Sequence, residues 1–277
     1  MIFTDLDGTL LDHETYDWTP AGPALAALAA RAIPVVLCSS KTRAEMRVLA
    51  SAMHLDAPLI VENGGGVWLP PSWRGRLPED AVAVDNGWLV VLGAHADALR
   101  PVLPTIAAAV QSGLRGFGVM DVAEVARRTG LPLETAALAA QREFSEPFIA
   151  DREVSLRDLD GAARAHGLQV TRGGRFFHLI GPSDKGRAVR VVSGWLGAQA
   201  VGTTLGFGDA PNDLPLLQAV DEPVIVPRPD GTSHPDLVAA LPHARVAPAP
   251  GPAGWNEVVL DWLSRGSKPR LGETRPT

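Results

Sequence analysis

The feature that most restricts the fold is an alternation near the N-terminus. Short apolar, β-branched runs at Met1–Asp5, Ala32–Cys38 and Pro58–Val61 are separated by stretches with helical spacing at Pro20–Arg31 and Thr42–Met53. Strands that are apolar throughout are buried on both faces, and helices between them supply crossovers. The pattern predicts a parallel, doubly wound α/β sheet with right-handed connections. Ligands in such sheets gather beyond the carboxyl ends of the strands, so the residues that end each run are the first to inspect.

After Val61 the texture changes. W-L-P-P-S-W-R-G-R-L-P reads as a loop, hairpin or junction. Residues 86–181 then carry strand-like pieces, W-L-V-V-L-G, G-F-G-V-M, E-P-F-I-A, L-Q-V-T-R and R-F-F-H-L-I. Helical stretches lie between them at Ala96–Gln111, Asp121–Arg128, Leu133–Gln141 and Ser155–His166. A helix at Arg187–Leu196, strands T-T-L-G-F-G-D and V-I-V-P, and a closing helix at Trp255–Leu263 follow. This divides the 277 residues into a core of 1–83 plus 183–265, an inserted α+β domain over 84–182, and a frayed tail over 266–277. Hinges are expected at 82–86 and 180–183.

The chain carries a net charge of −6, which speaks against a general nucleic-acid binder or a membrane-surface protein. No apolar run reaches spanning length, and M-I-F-T-D-L-D lacks the regions of a signal peptide, so a cytoplasmic location is expected. The single cysteine, Cys38, allows no intrachain disulfide and reads as a small buried core residue. Monomer and homodimer both remain open.

Four short strings carry chemistry. In D-L-D-G-T-L, Asp5 and Asp7 are two apart in extended chain and face the same side, and Gly8 lets the chain turn away. Paired carboxylates repel unless a proton or a hard cation intervenes; a plain strand-ending turn is the alternative. In G-F-G-D-A-P-N-D, Asp209 and Asp213 lead into a helix; Asp213 suits either a metal or a helix N-terminus. Lys185, one of three lysines, lies just before a helix, where a cation is mildly unfavourable for the dipole and asks for an anion; an exposed surface cation is the alternative. Ser39, Ser40, Lys41 and Thr42 follow the second strand and can cap a helix, hold an anion, or both.

In order and spacing, these strings resemble the four motifs of the haloacid dehalogenase superfamily of phosphotransferases: Asp5 and Asp7 in the first, Ser39 in the second, Lys185 in the third, and Asp209, Asn212 and Asp213 in the fourth. The insert between the second and third motifs resembles the large-cap subgroup of Cof-type sugar phosphatases, sucrose phosphatase and phosphomannomutase. V-V-L-C-S-S-K-T, I-V-E-N-G-G, Q-R-E-F-S-E-P-F, G-G-R-F-F-H-L-I-G and S-D-K-G resemble, more narrowly, the mannosyl-3-phosphoglycerate phosphatase family.

The resemblance implies a Rossmann-like core with a cap and a covalent phosphoryl transfer on a phosphorylated sugar-glycerate. Asp5 is the implied nucleophile and Asp7 the implied acid and base. Mg²⁺, with Mn²⁺ or Co²⁺ as substitutes, is held by Asp5, Asp7 (through its carbonyl) and Asp209. Ser39, Ser40 and Lys185 hold phosphate, while Asn212 and Asp213 order the site. Candidate substrate contacts are Lys41, Asn63, Gln141, Arg142, Glu143, Ser145, Glu146 and Arg172. Arg142 and Arg172 suit a carboxylate. His178, between paired phenylalanines and the strand end, reads as a half-buried structural histidine. A broader sugar phosphatase, a mutase-like phosphotransferase and a non-catalytic phosphate sensor are the competing functions.

Overall fold

A computed structural model describes residues 1–73, 77–173, 175–196 and 202–266. The expected frayed tail, 266–277, lies almost wholly outside the described residues. A nine-stranded sheet forms the larger body. Its strands are β1 (Ile2–Thr4), β2 (Val35–Cys38), β3 (Leu59–Val61), β4 (Gly66–Leu69), β5 (Val82–Val84) and β6 (Gly87–Val91), together with β11 (Leu205–Gly208), β12 (Glu222–Ile225) and β13 (Arg245–Val246). The order is β13-β12-β11-β1-β2-β3-β4-β6-β5. From β13 to β3 every pairing is parallel, while β4, β6 and β5 join antiparallel. The alternation seen at the N-terminus is therefore the centre of the sheet.

Apolar side chains alternate between the two faces. Ile2, Leu37 and Leu59 pack with Leu25, Leu28 and Trp255 from the helices Gly22–Ala29 and Gly251–Gly266. Phe3, Val36 and Ile60 pack on the other face with Val189, Val192 and Leu216 from Lys185–Leu196 and Leu214–Leu217. Burial on both faces explains why these strands are uniformly apolar.

The smaller body is a four-stranded antiparallel sheet, β7 (Leu114–Gly116), β8 (Ser145–Ala150), β10 (Phe176–Ile180) and β9 (Gln169–Gly173), in the order β7-β8-β10-β9. One face packs Phe148, Phe177 and Leu179 against Leu103, Ile106 and Leu159 of the helices Leu103–Val110 and Leu156–Arg164.

Four expectations need correction. W-L-V-V-L-G, expected inside the insert, is β6 of the larger sheet, because Trp88 to Val91 pair with Gly66 to Leu69. The chain leaves that sheet after Val91, so residues 82–86, expected as a hinge, form the β5–β6 hairpin. The helix expected at Ala96–Gln111 breaks into pieces at Pro101 and Pro104, whose rings fit first-turn positions only. G-F-G-V-M ends a strand at Gly116 and then forms a 3-10 turn, Phe117–Val119. No helix among the described residues is long and apolar enough to cross a membrane.

Candidate active site

The carboxyl ends of three adjacent strands, β11, β1 and β2, bring together the motifs. Asp5 directly follows β1, Asp209 follows β11, and Ser39 follows β2. At Gly8 the chain turns back with φ +79°, and a Cβ there would lie 2.7 Å from Asp209 Oδ2. Only glycine allows this approach without strain. The turn is closed by Gly8 N–H donating to the Leu11 carbonyl, and Thr9 Oγ1 donates to Asp209 Oδ1 at 3.3 Å.

Lys185 opens the helix Lys185–Leu196 and is 1% exposed. Its ammonium lies 2.6 Å from both Asp5 Oδ1 and Asp213 Oδ1. The two carboxylates answer why a lysine stands at a helix start. Asp213 also accepts from the backbone N–H groups of Asp209 and Ala210 through Oδ2, each at 3.1 Å. It therefore does both things the sequence left open: it closes the turn after β11, and it sits in the acidic cluster. Oxygen atoms of Asp5, Asp209 and Asp213 lie within 4.8 Å of one another.

Electrostatics here are unfavourable to three anions. Burial and then the neighbouring Asp213 push Asp5 up to about 7, against the opposing pull of Lys185. Burial, Asp213 and Asp5 push Asp209 up to about 8. Three carboxylates against one ammonium leave two negative charges uncompensated. Asp5 Oδ2 and Asp209 Oδ2 accept no hydrogen bond among the described residues. Crowded, oxygen-only and underneutralised, the cluster fits a hard divalent cation.

Asp7 is not part of that carboxylate cluster. Its Oδ1 lies 2.9 Å from Lys41 Nζ, which also sits 5.1 Å above the Tyr16 ring. The Asp7 carboxylate thus pairs with Lys41, while Asp5, Asp209 and Asp213 form the acidic cluster.

Ser39 N–H donates to the Ile60 carbonyl, and Ser39 Oγ accepts from Lys41 N–H at 3.2 Å. Thr42 caps the helix Arg43–Ala52 in a reciprocal pair with Glu45. Capping therefore falls to Thr42, which leaves the preceding serines to line the site. Gly64, at φ +89°, lets the loop after β3 run against the Asp184 carbonyl. Asn212 Nδ2 donates to Asn63 Oδ1 at 3.5 Å, joining that loop to the fourth motif.

The residues named in the insert separate into groups. Arg142 donates to the Ser40 carbonyl at 2.8 Å, so it reaches the loop that follows β2. Glu143 forms a two-pronged pair with Arg43, 2.9 Å on each arm. Ser145 donates to Glu62 at 2.5 Å. Gln141 is exposed and donates to the Ala137 carbonyl. Glu146 is instead consumed within the smaller body: it accepts from Gly118 N–H at 2.7 Å and Arg100 Nε at 3.2 Å. Arg172 shares a sheet face with Phe177 and lies 5.3 Å from its ring, opposite the face of His178 and Thr171.

His178 is 5% exposed, more buried than expected, and its Nδ1 has no hydrogen-bond partner. Burial, with help from Arg142 and Lys185, pushes it down to about 3. It is neutral in the fold, whereas the unfolded chain takes a proton near pH 6.5. Stability from this group is therefore present above pH 6.5 and lost as pH falls toward 3. Between pH 6 and 4.5 the loss is about 2 kcal/mol. Urea melts of His178→Phe should show a shallower acid-side decline by that amount. Cys38 is fully buried and its thiol is pushed up by burial, as a core residue.

The comparisons agree with this geometry. Residues 2–73 match the haloacid dehalogenase-like hydrolase family. The chain is 37% identical to a glucosyl-3-phosphoglycerate/mannosyl-3-phosphoglycerate phosphatase of Methanococcoides burtonii, over 96% of this chain and 98% of that one. It is 38% identical to one of Persephonella marina, over 96% and 99%. Among solved structures, a Thermoplasma acidophilum protein superposes with TM-score 0.68 at 17% identity, covering 95% of this chain and 97% of that one. The sucrose-phosphatase of Synechocystis, solved with sucrose and phosphate, superposes with TM-score 0.60 at 17% identity over the same shares. These two establish the fold alone. The chain belongs to the haloacid dehalogenase-like hydrolases, as a phosphatase of the family that includes the two glucosyl-3-phosphoglycerate/mannosyl-3-phosphoglycerate phosphatases.

Proposed function

We propose that this phosphatase cleaves the phosphate monoester of mannosyl-3-phosphoglycerate, and of its glucosyl counterpart, releasing phosphate and the hexosylglycerate. The observation that carries the reading is the buried Asp5–Lys185–Asp213 bridge at the strand ends, within a chain matching those relatives over nearly its full length. The resemblance of the short strings suggests a mannosyl substrate; the relatives' shared name supports that and adds the glucosyl one.

Asp5 is the nucleophile. Lys185 holds its Oδ1, so Oδ2 is the oxygen left to attack phosphorus in line. The ester P–O bond breaks as the new Asp5 O–P bond forms. Asp7 gives its proton to the departing glycerate oxygen. It then takes a proton from the water that cleaves the aspartyl-phosphate, which restores both carboxylates to their starting states. Lys41, 2.9 Å away, orients Asp7 for both transfers. Lys185 and the Ser39 hydroxyl, with Ser40 beside it, steady the phosphoryl oxygens as charge shifts. Asn212 and Asp213 hold the fourth motif in place around Asp209. Lys41, Asn63, Gln141 and Arg142 are the substrate contacts we retain, with Arg142 suited to the glycerate carboxylate.

Asp5 and Asp209 would hold the cation, Mg²⁺ first and Mn²⁺ or Co²⁺ as substitutes, with the Asp7 carbonyl. Bound there, it screens the nucleophile from the phosphate dianion and polarises the phosphoryl group. The smaller body serves as a cap that excludes water from the site.

The test is phosphate release from mannosyl- and glucosyl-3-phosphoglycerate beside 3-phosphoglycerate, mannose 6-phosphate and sucrose 6-phosphate, with Mg²⁺ and with chelator. The hexosyl-3-phosphoglycerates should be preferred at least tenfold, a difference of about 1.4 kcal/mol, and chelator should abolish release. Equal turnover of simple sugar phosphates would overturn the substrate. Metal removal has a second readout. Added Mg²⁺ at about 100 times its Kd should stabilise the fold by about 2.7 kcal/mol. Asp209→Asn should remove most of that rise.

A further inference from the structure

Glu62 lies outside the four chemistry-bearing motifs, within the string I-V-E-N-G-G, yet its carboxyl group is fully buried. It follows β3, and the chain there turns sharply: Glu62 has φ +50° and Asn63 φ +58°. Two successive non-glycine residues in the left-handed region are strained. Backbone bonds hold the turn against the phosphate loop. Glu62 N–H donates to the Lys41 carbonyl, and Asn63 N–H to the Ser39 carbonyl. The carboxylate is thereby aimed away from the core and into the insert.

There it collects three donors from one segment: Glu143 N–H at 2.8 Å, Phe144 N–H at 3.2 Å and Ser145 Oγ at 2.5 Å. Arg142 Nη1 lies 3.9 Å away while donating to the Ser40 carbonyl. Arg142 Nε is buried without a partner. Phe144 belongs to the apolar cluster under the larger sheet, and its ring lies where Gly66 has no side chain. Arg43 grips Glu143, and Thr42 Oγ1 donates to the Leu138 carbonyl. A buried carboxylate is an expensive way to join two bodies; apolar contacts would serve adhesion alone. What it adds is a fixed distance and direction.

We propose that Glu62 is a positioning residue that sets the spacing between the phosphate loop, 39–42, and the substrate-reading segment, 141–145, of the cap. This rests on the phosphatase reading above. A substrate that spans both parts, phosphate in the core and a hexosyl group under the cap, depends on that spacing. A phosphate ester too short to engage the cap does not.

The experiment compares p-nitrophenyl phosphate with mannosyl-3-phosphoglycerate in Glu62→Gln and Ser145→Ala. For Glu62→Gln, kcat/KM for the hexosyl substrate should fall at least tenfold, mainly through KM. Turnover of p-nitrophenyl phosphate should change less than twofold. Ser145→Ala, which removes one of the three donors, should shift the same ratio in the same direction by about threefold, and decides the matter if Glu62→Gln does not fold. Equal losses on both substrates would mark a merely structural role and overturn the proposal, as would no change on either. If the wild type does not release phosphate from mannosyl-3-phosphoglycerate, the substrate assignment fails. The ratio is then read with the sugar phosphate the wild type cleaves fastest, and the same two outcomes decide.

Discussion

Asp5→Asn should lose at least about 10⁴-fold in kcat, or about 5 kcal/mol of barrier lowering, while the protein stays folded. The two effects have separate causes. An amide oxygen cannot take over the attack on phosphorus, and no other carboxylate holds the same place. Asp213 has both oxygens engaged, by Lys185 and by two backbone N–H groups. Asp209 has Thr9 on one oxygen and Gly8 pressed against the other. Stability should move the other way. In the metal-free protein the Asp5 carboxyl is pushed up to about 7 by burial and by Asp213, so its charge works against the fold at pH 8. The amide keeps the shape and drops the charge, and Lys185 keeps Asp213 as its partner. Metal-free Asp5→Asn should therefore melt no lower than the wild type at pH 8. A melting temperature several degrees lower would show that the variant lost activity through unfolding. Wild-type turnover in the variant would end the covalent mechanism.

How much of this was legible in the sequence depends on the range of the interaction. Asp5, Asp7 and Gly8 announce themselves because the chemistry sits in adjacent residues after an apolar strand. Lys185 was legible as an oddity, a rare lysine at a helix start, and its partners account for it. The central parallel strands follow from local patterning. β4, β5 and β6 do not, because an antiparallel extension of a core sheet has the same alternation as a strand in a separate domain. Only the pairing of Trp88 with Leu69 assigns it. Glu62 and the fates of Glu146 and Arg172 were not legible. Glu62 with Ser145 and Glu146 with Arg100 and Gly118 depend on contacts made across tens of residues, and Arg172 depends on the register that sets it beside the Phe177 ring on the next strand. A polar residue in a cap string says nothing about which face of its strand it occupies until register is known.

Lys185→Met should cost about 3–5 kcal/mol of stability at pH 8, the range for stripping one partner from a buried ion pair, and should abolish turnover. Methionine roughly fills the lysine's volume, so the loss reports charge and not a cavity. The diagnostic is its pH dependence in metal-free protein. With the ammonium gone, Asp5, Asp209 and Asp213 face one another uncompensated, and their tendency to hold protons in the fold rises above the already raised values of about 7 for Asp5 and about 8 for Asp209. In the unfolded chain these carboxyls release their protons near pH 3.9. Between those limits the folded state binds more protons than the unfolded one, so stability increases as pH falls. The deficit of Lys185→Met relative to the wild type should therefore shrink between pH 8 and pH 5. Chemical melts at the two pH values measure it. A deficit independent of pH would mean that the lysine's methylene packing, and not its charge, holds the centre together. Added Mg²⁺ separates the roles further: a divalent cation can offset part of the lost charge and restore melting, but it cannot restore the hydrogen bond that fixes Asp5 Oδ1. Stability should recover with metal while turnover does not.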